Sequence, residues 1–154
     1  MRTELKEEDI ARIAEIEASL FKDKAWSLEL IRSELKRPEN LVIVVKDDFL
    51  EVIGYIIVKI LLDEAEVLRL GVKKENQGKG IGEGLLMVVL DVLRRSGIKK
   101  VFLEVSADNI KAQRLYEKFE FKKIGERKDY YSPGKPAFIM CKILEEGSHV
   151  KGRD

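Results

Sequence analysis

The chain has 154 residues with 29 Lys and Arg against 28 Asp and Glu, a net charge of +1, and a balance that even argues against nucleic acid as the main partner. Hydrophobic residues make up 45% of the chain, which excludes a disordered polymer and suffices for one domain with its own core. The charged stretch from Met1 to Glu8 lacks the pattern of a secretory signal, no apolar run has the length to span a bilayer, and Cys141 alone can form neither an internal disulfide nor a cysteine metal site.

These exclusions lead to the expectation of a cytoplasmic protein with no membrane partner and no metal. In chain order, Arg2 to Leu5 reads as a short strand. Ile10, Ile13, Ala14, Glu17 and Leu20 keep helical spacing with Ile16 also inward, so residues 7–19 read as a helix. Ser27 reads as the N-cap of a second helix from Leu28 to Lys36, which stops before Pro38. Phe21 to Trp26, between them, is a loop with two large aromatics. Leu41–Val45 is a β-branched strand, Asp47-Asp48 allows a turn, and Val52–Leu62 is the return arm of a hairpin. Ala65–Val72 follows as another strand.

A glycine-rich turn then leads into a helix from Gly82 to Arg95, with Gly97 as the C-cap signal. Val101–Val105 is apolar on both faces apart from Glu104, which suggests a central strand. Asn109–Phe119 is a helix with Ala112, Leu115, Tyr116 and Phe119 on one side. Phe121–Tyr131 and Ala137–Leu144 close the sheet around Ser132-Pro133-Gly134, and Cys141 in the last strand reads as a buried, inert thiol. Residues 1–145 are expected to form a single domain, and 146–154 a polar, frayed tail. The order β-α-α-β-β-β-α-β-α-β-β describes an α/β (α+β) fold, a mixed, mostly antiparallel sheet with helices on both faces.

Four of the eleven glycines, Gly78, Gly80, Gly82 and Gly84, fall within Gln77-Gly78-Lys79-Gly80-Ile81-Gly82-Glu83-Gly84, between strand and helix. Strand, glycine turn and helix together aim several backbone N–H groups at one point, and the helix N-terminus adds partial positive charge. Such a turn suits a phosphate. The nucleotide P-loop pattern fails, because Gly78-Lys79 is followed by Gly80 and position 73 is Lys. The dinucleotide pattern G-x-G-x-x-G fails at Glu83 and again at Leu85. The pattern that fits is Q-x-x-G-x-G, with Gln77, Gly80 and Gly82 in the fixed places; a glycine-rich connection without a ligand is the plainer alternative. This motif resembles the acetyl-CoA signature of the GNAT acyltransferase superfamily, whose element order also matches along essentially the whole chain.

The resemblance implies acetyl-CoA as cosubstrate. The backbone of Gly78, Lys79, Gly80, Ile81, Gly82 and Glu83 would hold the pyrophosphate, and Leu70-Gly71-Val72 would pair with the pantetheine and supply an oxyanion donor. Glu104 is the candidate base, since a carboxylate among apolar neighbours is costly without a job or a partner and burial would raise its pKa. The alternatives are a solvent-facing strand end or a pairing with Lys. Tyr116 is the candidate acid for the leaving thiolate, and otherwise a core aromatic at helical spacing.

Leu103-Glu104-Val105, Asn109, and Ala112 to Phe121 further resemble the ribosomal-protein alanine N-acetyltransferases, with their strand L-E-V, an Asn contacting CoA, and A-x-x-L-Y-E-x-x-G-F. The twelve residues from Glu104 to Tyr116 match the separation of proton acceptor and proton donor in that subfamily. Glu120 replaces its usual glycine, which should alter only the helix end. Asp129-Tyr130-Tyr131 resembles N-Y-Y of the peptide channel and Trp26-Ser27 resembles W-S, with Ala25 where a proline precedes. The resemblance implies transfer to a protein N-terminus, with Trp26, Tyr130 and Tyr131 beside the peptide, although these aromatics could equally be core and rim residues. A small amine, polyamine or lysine acceptor, or a non-catalytic acyl-CoA-binding module, are the competing readings. A partner subunit or a homodimer stays open.

Overall fold

The computed structural model describes residues 5–132 and 135–144; the side chains of 129–132 are not among those described. Its elements are α1 (Glu7–Phe21), a 3₁₀ turn at Lys22–Lys24, α2 (Leu28–Leu35), β1 (Asn40–Lys46), β2 (Val52–Leu61), β3 (Glu64–Val72), a second 3₁₀ turn at Lys74–Asn76, α3 (Ile81–Arg95), β4 (Lys100–Ser106), α4 (Ile110–Lys118), β5 (Lys122–Ser132) and β6 (Lys135–Ile143). Every expected element within the described residues is present with bounds within about two residues, the usual uncertainty of element ends. Residues 2–4 of the strand expected over Arg2 to Leu5 lie outside the described residues, and Leu5 belongs to no element.

The strands form one six-stranded sheet of order β1-β2-β3-β4-β6-β5. The β1–β2, β4–β6 and β5–β6 pairs are antiparallel and β3–β4 is parallel, from Glu64↔Lys100 to Val67↔Leu103. The sheet is thus mixed, as the alternation of hairpins and helical crossovers requires.

The described residues fall into two compact units, one within 1–60 and 68–90, the other within 61–67 and 91–154. In the first, Ile10, Ile13 and Ile16 of α1 and Ile31 and Leu35 of α2 pack with Val52, Tyr55 and Ile57 of β2. Gly54, between these positions in the strand, faces the other way: a Cβ there would stand 3.0 Å from Ile81 and 3.4 Å from Leu85 of α3. Helices therefore cover β2 on both sides, and the two-residue period of the strand sorts its side chains between them. Ser27 caps α2 as its sequence position predicts, its Oγ accepting from the Leu30 N–H at 3.1 Å.

In the second unit, Val101, Leu103 and Val105 form the buried face of β4, while Phe102, Glu104 and Ser106 alternate with them and are half-buried. Gly97 ends α3 with a φ of 85°, the left-handed C-cap conformation that its residue type predicts. Glu120 takes the same role after α4 with a φ of 70°. A side chain is strained there, which explains why the related pattern has glycine at this place. Among the described residues, no helix is long and apolar enough to cross a membrane.

Candidate active site

The glycine loop leaves β3 under firm control. The Lys73 N–H donates to the Ile53 carbonyl at 2.8 Å, and the Gln77 side-chain amide donates to the Val72 carbonyl at 2.9 Å. Gln77, expected beside the cofactor, thus braces the loop against the end of its strand. Gly78 and Gly80 have φ of 79° and 83°, a conformation that a side chain would strain. A Cβ at Gly78, Gly80 or Gly84 would meet nothing within 4 Å, and one at Gly82 would meet only Val72, at 3.6 Å. Internal packing therefore explains none of the four: backbone conformation accounts for Gly78 and Gly80, and the space beside all four is open.

The first intrahelical bond of α3 runs from the Gly84 N–H to the Gly80 carbonyl at 2.9 Å. A helix N-terminus presents backbone N–H groups and partial positive charge, so the loop and first turn form a cradle suited to an anion. These features fit the pyrophosphate of acetyl-CoA.

Gly71 stands in sharp contrast. A Cβ there would lie 2.6 Å from the Tyr55 hydroxyl oxygen and under 3 Å from two ring carbons. Tyr55 is fully buried, and its hydroxyl donates to Glu17 Oε1 at 2.6 Å. Burial and the adjacent carboxylate both push the Tyr55 phenol up, so it stays protonated and donates. The other oxygen of Glu17 accepts from the Trp26 N–H at 3.0 Å and lies 2.8 Å from Arg69 Nη2. The Arg69 guanidinium stacks over Phe21 at 4.3 Å and Trp26 at 5.0 Å. The aromatic loop Phe21–Trp26 is thereby tied to α1 and β3. Helical spacing places Glu17 on the apolar stripe of α1, but nothing in the sequence names its three partners.

In the second unit, Glu104 is on β4 opposite Ile139. Its side chain is 18% exposed, and Arg127 Nη2 donates to its Oε2 at 2.6 Å. The expectation of a buried carboxylate among apolar neighbours is corrected here to a half-buried one. The alternation of β4 turns Glu104 to the half-open face, and β5 brings a cation to it. A partner for Glu104 was anticipated, but as a Lys; Arg127 carried no signal of its own. Tyr116 is 8% exposed and packs edge-on to Phe121, ring centroids 5.7 Å apart.

Asn109 caps α4, its side-chain oxygen accepting from the Ala112 N–H at 3.1 Å. Gln113 donates to the carbonyls of Ser106 and Ala107, both at 3.0 Å, and so fixes the turn between β4 and α4. Sequence reasoning passed over Gln113, because a helical glutamine has no distinguishing pattern. Cys141 is half-buried rather than fully buried, and burial raises its thiol pKa, which disfavours a nucleophilic thiolate.

Leu70, Gly71, Val72, the glycine loop and Trp26 thus fall in the first unit, and Glu104, Asn109 and Tyr116 in the second. The side chains of Tyr130 and Tyr131 lie outside the described residues.

The family model described as Acetyltransferase (GNAT) family matches residues 8–121. N-alpha-acetyltransferase RimI of Mycobacterium tuberculosis is 36% identical over 138 residues, covering 86% of this chain and 85% of that protein. The ribosomal protein bS18-alanine N-acetyltransferase of Haemophilus ducreyi is 33% identical over 126 residues, covering 81% and 84%. The crystal structure of the ribosomal-protein-S18-alanine N-acetyltransferase from Escherichia coli superposes with a TM-score of 0.84 at 26% identity, covering 93% of this chain and 92% of that one. The chain belongs to the GNAT acetyltransferase family.

Proposed function

We propose that this protein transfers the acetyl group of acetyl-CoA to the N-terminal α-amino group of a protein, with a ribosomal protein as the first candidate. The likeness to N-alpha-acetyltransferase RimI over more than four-fifths of both chains carries this reading. The glycine cradle at the start of α3 supports the cosubstrate. When bound, acetyl-CoA supplies an activated acetyl carbon and a thiol leaving group.

The protein's own residues then have separate tasks. Gly78 to Glu83 hold the pyrophosphate through backbone N–H groups, and Lys79 adds charge nearby. The backbone of Leu70-Gly71-Val72 pairs with the pantetheine and donates to the carbonyl oxygen as it gains negative charge. Asn109 caps α4 and contacts CoA beside it. Glu104 takes a proton from the attacking amine, directly or through a water, and Tyr116 gives one to the departing thiolate. Trp26, Tyr130 and Tyr131 line the path of the peptide. An α-amino group, with a pKa near 8, is far easier for one carboxylate to deprotonate than a lysine near 10.4. The raised thiol of Cys141 favours direct attack over an acyl-enzyme. The setting is the cytoplasm, where ribosomal proteins are made.

The test is an acetyl-transfer assay with acetyl-CoA, peptides differing at their first two residues, N-terminally blocked peptides with free lysines, and a polyamine. Modified positions are read by mass spectrometry. Acetylation confined to free N-termini is the expected outcome. Modification of lysines or the polyamine alone would replace the acceptor class, and acetyl-CoA binding without transfer would mean a binding module. Gly82→Val should abolish acetyl-CoA binding in calorimetry while the fold persists, since its first side-chain atom meets only Val72, at ordinary contact distance.

A further inference from the structure

A fully buried carboxylate outside the acyl-transfer machinery needs an explanation. Glu17 is 0% exposed, and burying a charge is unfavourable unless its partners compensate. Its three partners come from three places. Tyr55 belongs to β2, Arg69 to β3, and the Trp26 N–H to the loop that leaves α1. Arg69 also reaches the loop a second time, donating to the Lys24 carbonyl at 2.7 Å. Its guanidinium lies against both aromatic rings of that loop. Arg69 is one residue before Leu70, and Tyr55 packs directly under Gly71. One carboxylate therefore joins the Phe21–Trp26 loop to the part of β3 assigned above to the acyl group.

An apolar side chain at position 17 would have filled the same stripe of α1 at lower desolvation cost. Glutamine would keep the shape but lose the charge that holds the guanidinium. The planar, bidentate-capable Arg69 suits this role better than Lys, because only a guanidinium stacks flat on two rings while donating at its edge.

We propose that Glu17 is a positioning residue for the acyl acceptor, acting through Arg69 and the Trp26 N–H to hold the aromatic loop in register with β3. The inference rests on the acetyltransferase reading and adds to it a residue that touches neither acetyl-CoA nor the reacting atoms. Glu17 decides how well the acceptor is presented, and leaves acetyl-CoA binding alone.

Trp26 is the only tryptophan of the chain, so its fluorescence reports the loop directly. In Glu17→Gln, the KM for the acceptor should rise about tenfold, as expected for a lost charge-assisted hydrogen bond. The acetyl-CoA dissociation constant should stay within about twofold. Trp26 emission should shift red and become more open to acrylamide quenching. Arg69→Lys, which keeps the charge but not the stacking plane, should show the same changes in weaker form. It also serves as the assay if Glu17→Gln does not fold.

The KM is measured with whichever amine the wild-type protein acetylates, so a wrong acceptor class would show in the wild type and not in the variants. Unchanged acceptor KM and unchanged Trp26 emission in a folded variant would overturn the proposal. An equal loss of acetyl-CoA affinity would do so too, since Glu17 would then act on the whole fold.

Discussion

Glu17 and Glu104 are both carboxylates set among apolar residues in the sequence, yet the fold treats them in opposite ways. Glu17 is sealed within the first unit with three donors around it. Glu104 sits on a half-open strand face, and its single described ion pair is with an Arg127 whose side chain is 55% exposed. Apolar neighbours along the chain point to Glu104 as a buried acid, but among the described residues the buried acids are Glu17 and Asp9, and Glu104 is only half-buried. A sealed carboxylate with every oxygen engaged can hold structure but cannot exchange protons with a substrate. A partly exposed one can. Burial depth thus separates a positioning acid from a candidate base.

This contrast makes graded predictions. The largest effect is expected for Glu104→Gln, which should lower turnover about 10²–10⁴-fold, the range of a lost general base, with acetyl-CoA affinity nearly unchanged. Steady-state kinetics alongside calorimetry checks both parts; a parallel loss of affinity would make Glu104 a structural or cosubstrate residue. Next comes Tyr55→Phe, which removes one donor from the sealed carboxylate without changing the shape of the core. It should destabilise the fold by about 1.5–3 kcal/mol, as for a hydrogen bond to a buried charge, measured by denaturant unfolding. The smallest effect is expected for Arg127→Ala. An exposed ion pair contributes only about 0–1 kcal/mol, so the unfolding midpoint should barely move. If Arg127→Ala destabilised as much as Tyr55→Phe, the difference drawn between the two acids would collapse.

How much could be read beforehand follows from the range of each signal. Helical spacing of Ile10, Ile13 and Ile16 and the capping serine at position 27 act within a few residues, and the structure matches them closely. The glycine loop was legible because backbone access leaves a compositional trace that side-chain packing does not. Gly71 was legible only as part of a borrowed motif. Its physical reason, the Tyr55 ring beneath it, comes from a neighbouring strand, at position 55 against 71, and leaves no local pattern. Likewise, Glu120 reads as a departure from a related pattern, and only its φ of 70° shows what the departure asks of the backbone.

The elements, the glycine loop and the residue types available for proton transfer are all written along the chain. These depend on periodicity, capping and turn chemistry, all of which act between near neighbours along the chain. Tertiary structure alone decided which acid is sealed and which is open, because burial depends on residues far apart in sequence. Tyr55 lies 38 positions from Glu17, and Arg127 lies 23 from Glu104. No local pattern encodes such a meeting; it is settled when the strands find their register and each alternate side chain is assigned a face.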